Sequence, residues 1–233
     1  MILLNVDLGE LPDEPEALYT HAHLANVACG GHAGDESTMR RAVERCLQHG
    51  TRVGAHPSYP DVPGFGRTRL AMRPDDLRDT VAAQCAGLAR VAEALGARVG
   101  YVKAHGALYH AAHEDAEVAA ALLAGARDAL GDGAIFVGPA HGELAAAVAR
   151  AGHVLAREGF ADRATRPDGT LVPRTEPGAL VLDPAQAAAR ARSLASGGDV
   201  DTICVHGDTP GALAIAGAVR ATLDAIDAGA PGA

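Results

Sequence analysis

Aromatic residues make up only 3% of this chain of 233 residues, and tryptophan is missing altogether. A core has to be built from Ala, Val, Leu and Ile, which suits Ala-rich helices. Cysteine is sparse too. Cys29, Cys46, Cys85 and Cys204 stand far apart with no Cys-x-x-Cys pair, the pattern of a reduced, cytoplasmic protein. Cys29 and Cys204 fall in apolar runs and read as small core residues. Basic runs are absent and the formal net charge is −9, which argues against a nucleic-acid partner. No apolar run approaches the ~20 residues needed to span a bilayer, so no membrane partner is expected. The opening "MILLNVDLGE" reaches Asp7 and Glu10 too early for a signal peptide. Also missing are GxSxG, which argues against covalent acyl transfer, the GxxxxGK[ST] phosphate loop, and HExxH.

What is present is a rhythm. Short β-type runs occur at 2–6, 24–28, 51–55, 98–103, 134–138, 153–156 and 201–205. Between most of them lie Ala/Leu-rich stretches with helical spacing, the clearest at 36–48, 74–95, 115–130, 142–151, 184–195 and 211–225. Asp35, Pro74 and Asp183-Pro184 read as start signals, and Gly50, Gly96, Gly131, Gly152 and Gly197 as stops. Strand-then-helix repeated in this way predicts parallel strands with right-handed crossovers. About seven repeats favour a barrel over a doubly wound sheet, and no linker or low-complexity segment divides residues 1–233. One segment, 157–180, breaks the rhythm: it is long and polar, with a hairpin-like "PDGT" turn. The tail "AGAPGA" is expected to fray.

The ionisable residues fall after the strands. They are Asp7 and Glu10 after the first, His32 and Asp35 after the second, and His56, Asp61 and Arg67 after the third. Lys103, His105 and Tyr109 follow the fourth, Glu158, Asp162 and Arg163 the sixth, and His206 and Asp208 the seventh. In parallel α/β folds the C-terminal strand ends share one face, and active sites are built there. His32, His56, His105 and His206 in equivalent positions predict a shared polar site. His49, His110, His113, His141 and His153 read as surface or capping residues. Histidine and carboxylate on one face can hold a divalent metal, here drawn from Asp7, His32, His56, His105 and His206, or act as acid and base around a water.

Read together, "NVDLGE", "ANVACGGHAGD", "GAHPSYPDVPGFGR", "KAHGALYH", "EGFADRATRPDGTLVPR", "GAL" and "CVHGD" run in order from residue 5 to 208. This set resembles the LamB/YcsF family, described as the A component of bacterial 5-oxoprolinase. The resemblance implies a seven-stranded, TIM-like (β/α) barrel related to glycoside hydrolase and deacetylase folds. It also implies ATP-dependent opening of 5-oxoproline to L-glutamate, in a complex with 5-oxoprolinase subunits B and C. On that footing Asp7, His32, His56, His105, His206 and Asp208 are the catalytic candidates. Glu10, Asp35, Arg67, Lys103, Tyr109 and Arg163 are the candidates for binding substrate carboxylate or phosphate, Arg163 with an equal claim to a structural pair with Glu158 or Asp162. Gly31, Ala104, His110 and Thr165 depart from the family's usual pattern, and every histidine and aspartate of the set is kept. The rival readings are a stand-alone metal-dependent hydrolase or deacetylase of a saccharide-like substrate, and a non-catalytic binding protein within a complex.

Overall fold

The computed structural model describes residues 1–166 and 170–229. Seven parallel strands close into a barrel in the order β1-β2-β3-β4-β5-β6-β7, with β7 pairing back to β1. They are β1 (Leu3–Leu8), β2 (Leu24–Ala28), β3 (Arg52–His56), β4 (Val99–Lys103), β5 (Ile135–Gly138), β6 (Leu155–Phe160) and β7 (Thr202–His206). Among the described residues the helices are α1 (Ala17–His21), α2 (Glu36–His49), α3 (Pro74–Ala94), α4 (Gly106–Glu114), α5 (Ala116–Leu130), α6 (Glu143–Arg150), α7 (Pro184–Gly197) and α8 (Ala212–Asp227). None of the described helices is long and apolar enough to cross a membrane.

Period-two alternation divides each strand between two environments. Leu4, Val6, Leu8, Ala25, Val27, Val53, Ala55, Val102, Phe136, Ile203 and Val205 belong to one large apolar cluster with the helices, the annular core. The alternate residues Leu24, Tyr101 and Val137 form a separate small cluster, flanked by Leu3 and Ala156. That cluster closes the N-terminal end of the barrel interior. Tyr101 fits there because Gly54 on the neighbouring strand has no side chain: a Cβ at 54 would run into the Tyr101 ring. One step further along the same inward rows come Asn5 and Asp7, Asn26, His56, Lys103, Glu158, and Cys204 with His206. The barrel is therefore plugged below by apolar groups and polar above.

The expected elements are found, with some differences. His56, Lys103 and His206 are the last residues of β3, β4 and β7 rather than following them. β1 runs on to Leu8, so Asp7 is inside the strand rather than after it. β6 runs on to Phe160 and contains Glu158. Its charges masked the strand, since Glu158 faces inward while Arg157 faces outward to Asp201 (2.9 Å). "KAHGALYH" is not wholly a loop. It enters α4 at Gly106, with Leu108, Ala111 and Ala112 on its buried side at helical spacing. The five-residue α1 was also unforeseen. Most of the "PDGT" turn and the last four residues lie outside the described residues.

Candidate active site

Lys103, the last residue of β4, is 2% exposed and ends at the centre of the inward polar groups. Its Nζ lies 2.9 Å from Asp7 Oδ1, 2.9 Å from Glu158 Oε1, 3.1 Å from Asn5 Oδ1 and 3.0 Å from Cys204 Sγ. Burial alone would lower its pKa, but Asp7, Cys204 and Glu158 outweigh that and hold it well above the ordinary lysine value. Burial likewise works against the Asp7 carboxylate, and Lys103, His56 and His206 overcome it and keep the group well below its usual range. Asn26 Nδ2 donates to Asp7 Oδ1 (2.7 Å) and to Asn5 Oδ1 (2.8 Å). Neither Glu158 oxygen accepts an aligned hydrogen bond from the described residues. Burial and the adjacent Glu158 push the Tyr109 phenol, carried on α4, well above its usual pKa.

On one side of this ion group stand three imidazoles and Glu10. His32 Nε2 is 2.9 Å from Glu10 Oε1, His105 Nδ1 is 3.3 Å from the same oxygen, and His56 Nε2 is 3.4 Å from Asp7 Oδ2. Burial, then the charges of His105 and His56, lower the His32 pKa to about 4 against the pull of Glu10. Burial opposes the Glu10 charge, yet the His105 and His32 imidazoles beside it leave it strongly depressed. Ligand atoms of Glu10, His32, His56 and His105 lie within 4.8 Å of one another, as do those of Asp7, Cys204 and His206. The first set is donor chemistry suited to a divalent cation.

On the other side, Asp162 holds His206. One carboxylate oxygen lies 3.0 Å from His206 Nδ1, and the other accepts from His206 N (3.0 Å) and Thr209 Oγ1 (2.6 Å). The ionised carboxylate accepts only, so Nδ1 carries a hydrogen, and in the neutral ring Nε2 is bare, 3.9 Å from Asp7 Oδ2. An imidazole oriented by a buried carboxylate is the arrangement of a general base.

These groups open onto a cavity of about 1120 Å³ lined by Asp7, His56, Lys103, Glu158, Arg163 and Arg174 among others. Arg163 is 5% exposed and donates to Val172 O (2.7 Å), not to Glu158 or Asp162 as sequence reasoning allowed. Its Nε has no partner among the described residues, and burial with the nearby Arg174 pushes its pKa down to about 10. Asp208 stands away from the ion group and pairs with Arg67 and with Arg174 (3.2 Å). Asp35 is exposed and caps α2, accepting from Thr38 N (2.8 Å) in a capping box; its bonds stay within that turn. Cys204 belongs to the apolar core as expected, and its Sγ also meets Lys103. His110, His113 and His141, read from sequence as bland, line the cavity wall.

Sequence reasoning missed Asn5, Asn26 and Arg174. The two asparagines had a signal: each is a polar residue among apolar ones in a short strand, Asn26 alone in β2 and Asn5 two residues before Asp7 in β1. Arg174 had none, since it lies in the long connection after β6. Gly31, one of the departures from the family pattern, has a local cause. The room a side chain there would take is filled by Gln84 and Ser58, bonded to each other through Ser58 N (3.0 Å) and Ser58 O (2.8 Å).

The model of the LamB/YcsF family matches residues 2–230. A protein of Methylococcus capsulatus, named as the A component of 5-oxoprolinase, is 44% identical over 95% of this chain and 92% of its own length. One of Streptomyces griseus with the same name is 46% identical over 96% of each. The crystal structure of a lactam utilization protein from Thermus thermophilus superposes with a TM-score of 0.89 at 33% identity, covering 98% of this chain and 97% of that one. The chain belongs to the LamB/YcsF family.

Proposed function

We propose that this chain is the lactam-binding component of a cytoplasmic 5-oxoprolinase that, with partner subunits B and C, opens 5-oxo-L-proline to L-glutamate at the expense of ATP. The observation that carries the reading is the Asp7–Lys103–Glu158 ion group, beside the Asp162-oriented His206, at the floor of an arginine-lined cavity. The names of the relatives support the substrate class.

A lactam is a resonance-stabilised amide, and this one carries a carboxylate that repels an incoming hydroxide. The chain's residues answer both difficulties. Arg163, with its unpartnered buried Nε, and Arg174 beside it offer planar forks for carboxylate or phosphoryl oxygens. That unspent donor is the feature that fits an anionic co-substrate. ATP, when bound, would supply a phosphoryl group to the lactam oxygen and so activate the ring carbon; water adds there, the ring C–N bond breaks as its nitrogen takes a proton, and hydrolysis of the acyl phosphate left behind gives glutamate and phosphate. The bare Nε2 of His206 takes a proton from the attacking water, and Asp162 stabilises the imidazolium that forms. Lys103 fixes the Asp7 carboxylate and carries positive charge toward the developing oxyanion. Tyr109 and Glu158 provide a hydroxyl and a carboxylate with hydrogen-bonding capacity left for the ring nitrogen.

The test is one assay of 5-oxoproline with ATP, following glutamate and ADP, using this chain alone and with subunits B and C. Glutamate formed only in the complete mixture supports the reading. Lactam opening by the chain alone without ATP overturns it.

A further inference from the structure

We infer that Glu10, His56 and His105 form a three-ligand site for a divalent transition metal, with His32 as its outer support. The argument starts from the far side of each ring. His56 Nδ1 lies 2.8 Å from Lys103 O, and His105 Nε2 lies 2.9 Å from Phe65 O. A carbonyl oxygen only accepts, so both of those nitrogens carry hydrogen. In the neutral, metal-binding form each imidazole has one N–H, so His56 Nε2 and His105 Nδ1 present lone pairs, and they face each other at 3.1 Å. Glu10 Oε1, a third acceptor, stands 3.3 Å from His105 Nδ1 and 3.7 Å from His56 Nε2. Three converging lone pairs in a buried, low-dielectric place repel one another unless a cation sits among them.

The dimensions suit a metal ion. Bonds of the usual length for nitrogen and carboxylate on a four-coordinate metal place neighbouring ligand atoms about 3.3 Å apart. The observed separations of 3.1, 3.3 and 3.7 Å bracket that value. The His56 and His105 rings are nearly perpendicular (88°), so both in-plane lone pairs can aim at one point.

His32 cannot join them. Its ring is stacked on His105, 1° from parallel with centroids 3.7 Å apart. Lone pairs lying in two parallel, stacked ring planes do not meet at one ion. His32 instead donates Nε2–H to Glu10 Oε1 (2.9 Å). Each ligand therefore has one outer partner: Lys103 O for His56, Phe65 O for His105 and His32 for Glu10. Metal ligands are held and oriented by such partners. Phe65 delivers its carbonyl from a left-handed backbone (φ +54°), a costly conformation for a bulky residue and one that clusters at functional sites. His56, His105 and the neighbouring Asp7 (Oδ2 3.4 Å from His56 Nε2) line the cavity, so an ion held there would border the proposed substrate space.

The deciding experiment needs no lactam, ATP or partner protein, so its outcome is independent of the function proposed above. The full chain, purified without chelator from medium supplemented with zinc, manganese and iron, is analysed for metal by mass spectrometry. It is then stripped and titrated with each metal and with cobalt(II), following thermal denaturation and visible absorption. The expected result is about one metal per chain, a Tm that falls on stripping and returns on titration, and cobalt(II) absorption bands. His105→Ala and Glu10→Ala are expected to lose uptake, whereas His32→Ala keeps the stoichiometry with about 10- to 100-fold weaker affinity. Stripped wild-type protein that stays folded, takes up none of these metals and shows no change in Tm overturns the inference in favour of a shared proton. Loss of uptake in folded His32→Ala as complete as in His105→Ala overturns the assignment of His32. The wild-type titration decides the main point even where a variant fails to fold.

Discussion

The Lys103 ammonium stands 2.9 Å from the Asp7 carboxylate inside the barrel, with each side chain no more than 3% exposed. Glu158 lies at the same distance on another side of the ammonium, so one cation serves two buried carboxylates. Removing it strands both. Lys103→Met is expected to destabilise the fold by about 3–5 kcal/mol, the usual cost of leaving a buried charge without its partner. Adding Glu158→Gln is expected to recover part of that loss. Urea denaturation of the single and double variants measures both. A single variant as stable as wild type would show that the three groups are not held as an ion group.

Asp162 sets a pH dependence. Burial raises its pKa, but His206, Thr209 and the His206 amide outweigh burial, and the folded value lies below the ordinary one. A depressed folded pKa contributes stability that is fully present above the unfolded value of about 4 and is lost as pH falls through the folded value. Wild-type protein is therefore expected to lose stability in acid below about pH 4, and Asp162→Asn to show a shallower acid limb. Denaturant midpoints measured across the acid range check this.

Arg163 is the proposed grip on the substrate. Its loss removes charge-assisted hydrogen bonds worth about 1.5–3 kcal/mol, so Arg163→Met is expected to raise KM for 5-oxoproline roughly 10- to 100-fold in the reconstituted complex. Steady-state kinetics decide, and an unchanged KM would remove Arg163 from the binding site.

Gly66 controls the histidine stack. It has φ +65°, and a Cβ there would come within 2.8 Å of His32 Cβ and 2.9 Å of His105 Cδ2. Gly66→Ala is expected to cost about 1–2 kcal/mol from the left-handed backbone alone, and more from displacing the rings. Thermal denaturation reads the cost, and loss of glutamate formation beyond the loss of folded protein reads the displacement.

Asp35 is a helix cap. Asp35→Ala is expected to cost about 1 kcal/mol of stability. A denaturation midpoint identical to wild type would show that the capping box at α2 contributes nothing.

The sequence by itself determined the barrel's strand count, most of its helix and strand positions, and the polar end of the fold. Those features follow from local rules: period-two and helical alternation, caps, and the chemical sameness of parallel strand ends. Asp7, His56, Lys103 and His206 were legible because position after or near a strand end sends a residue to one face. The sequence could not show which of those residues meet. Asp35 and Asp208 follow strand ends like the others, yet one caps a helix and the other pairs with Arg67 and Arg174. Glu158 was hidden by its charge, since a carboxylate reads as loop until a Lys103 from another strand faces it. Distances between residues remote in the chain, such as His56 and His105, depend on barrel closure and on the Phe65–Gly66 turn. Only the tertiary structure decided that His32 stacks where it cannot share an ion with His105, because ring orientation is fixed by packing and not by the order of residues.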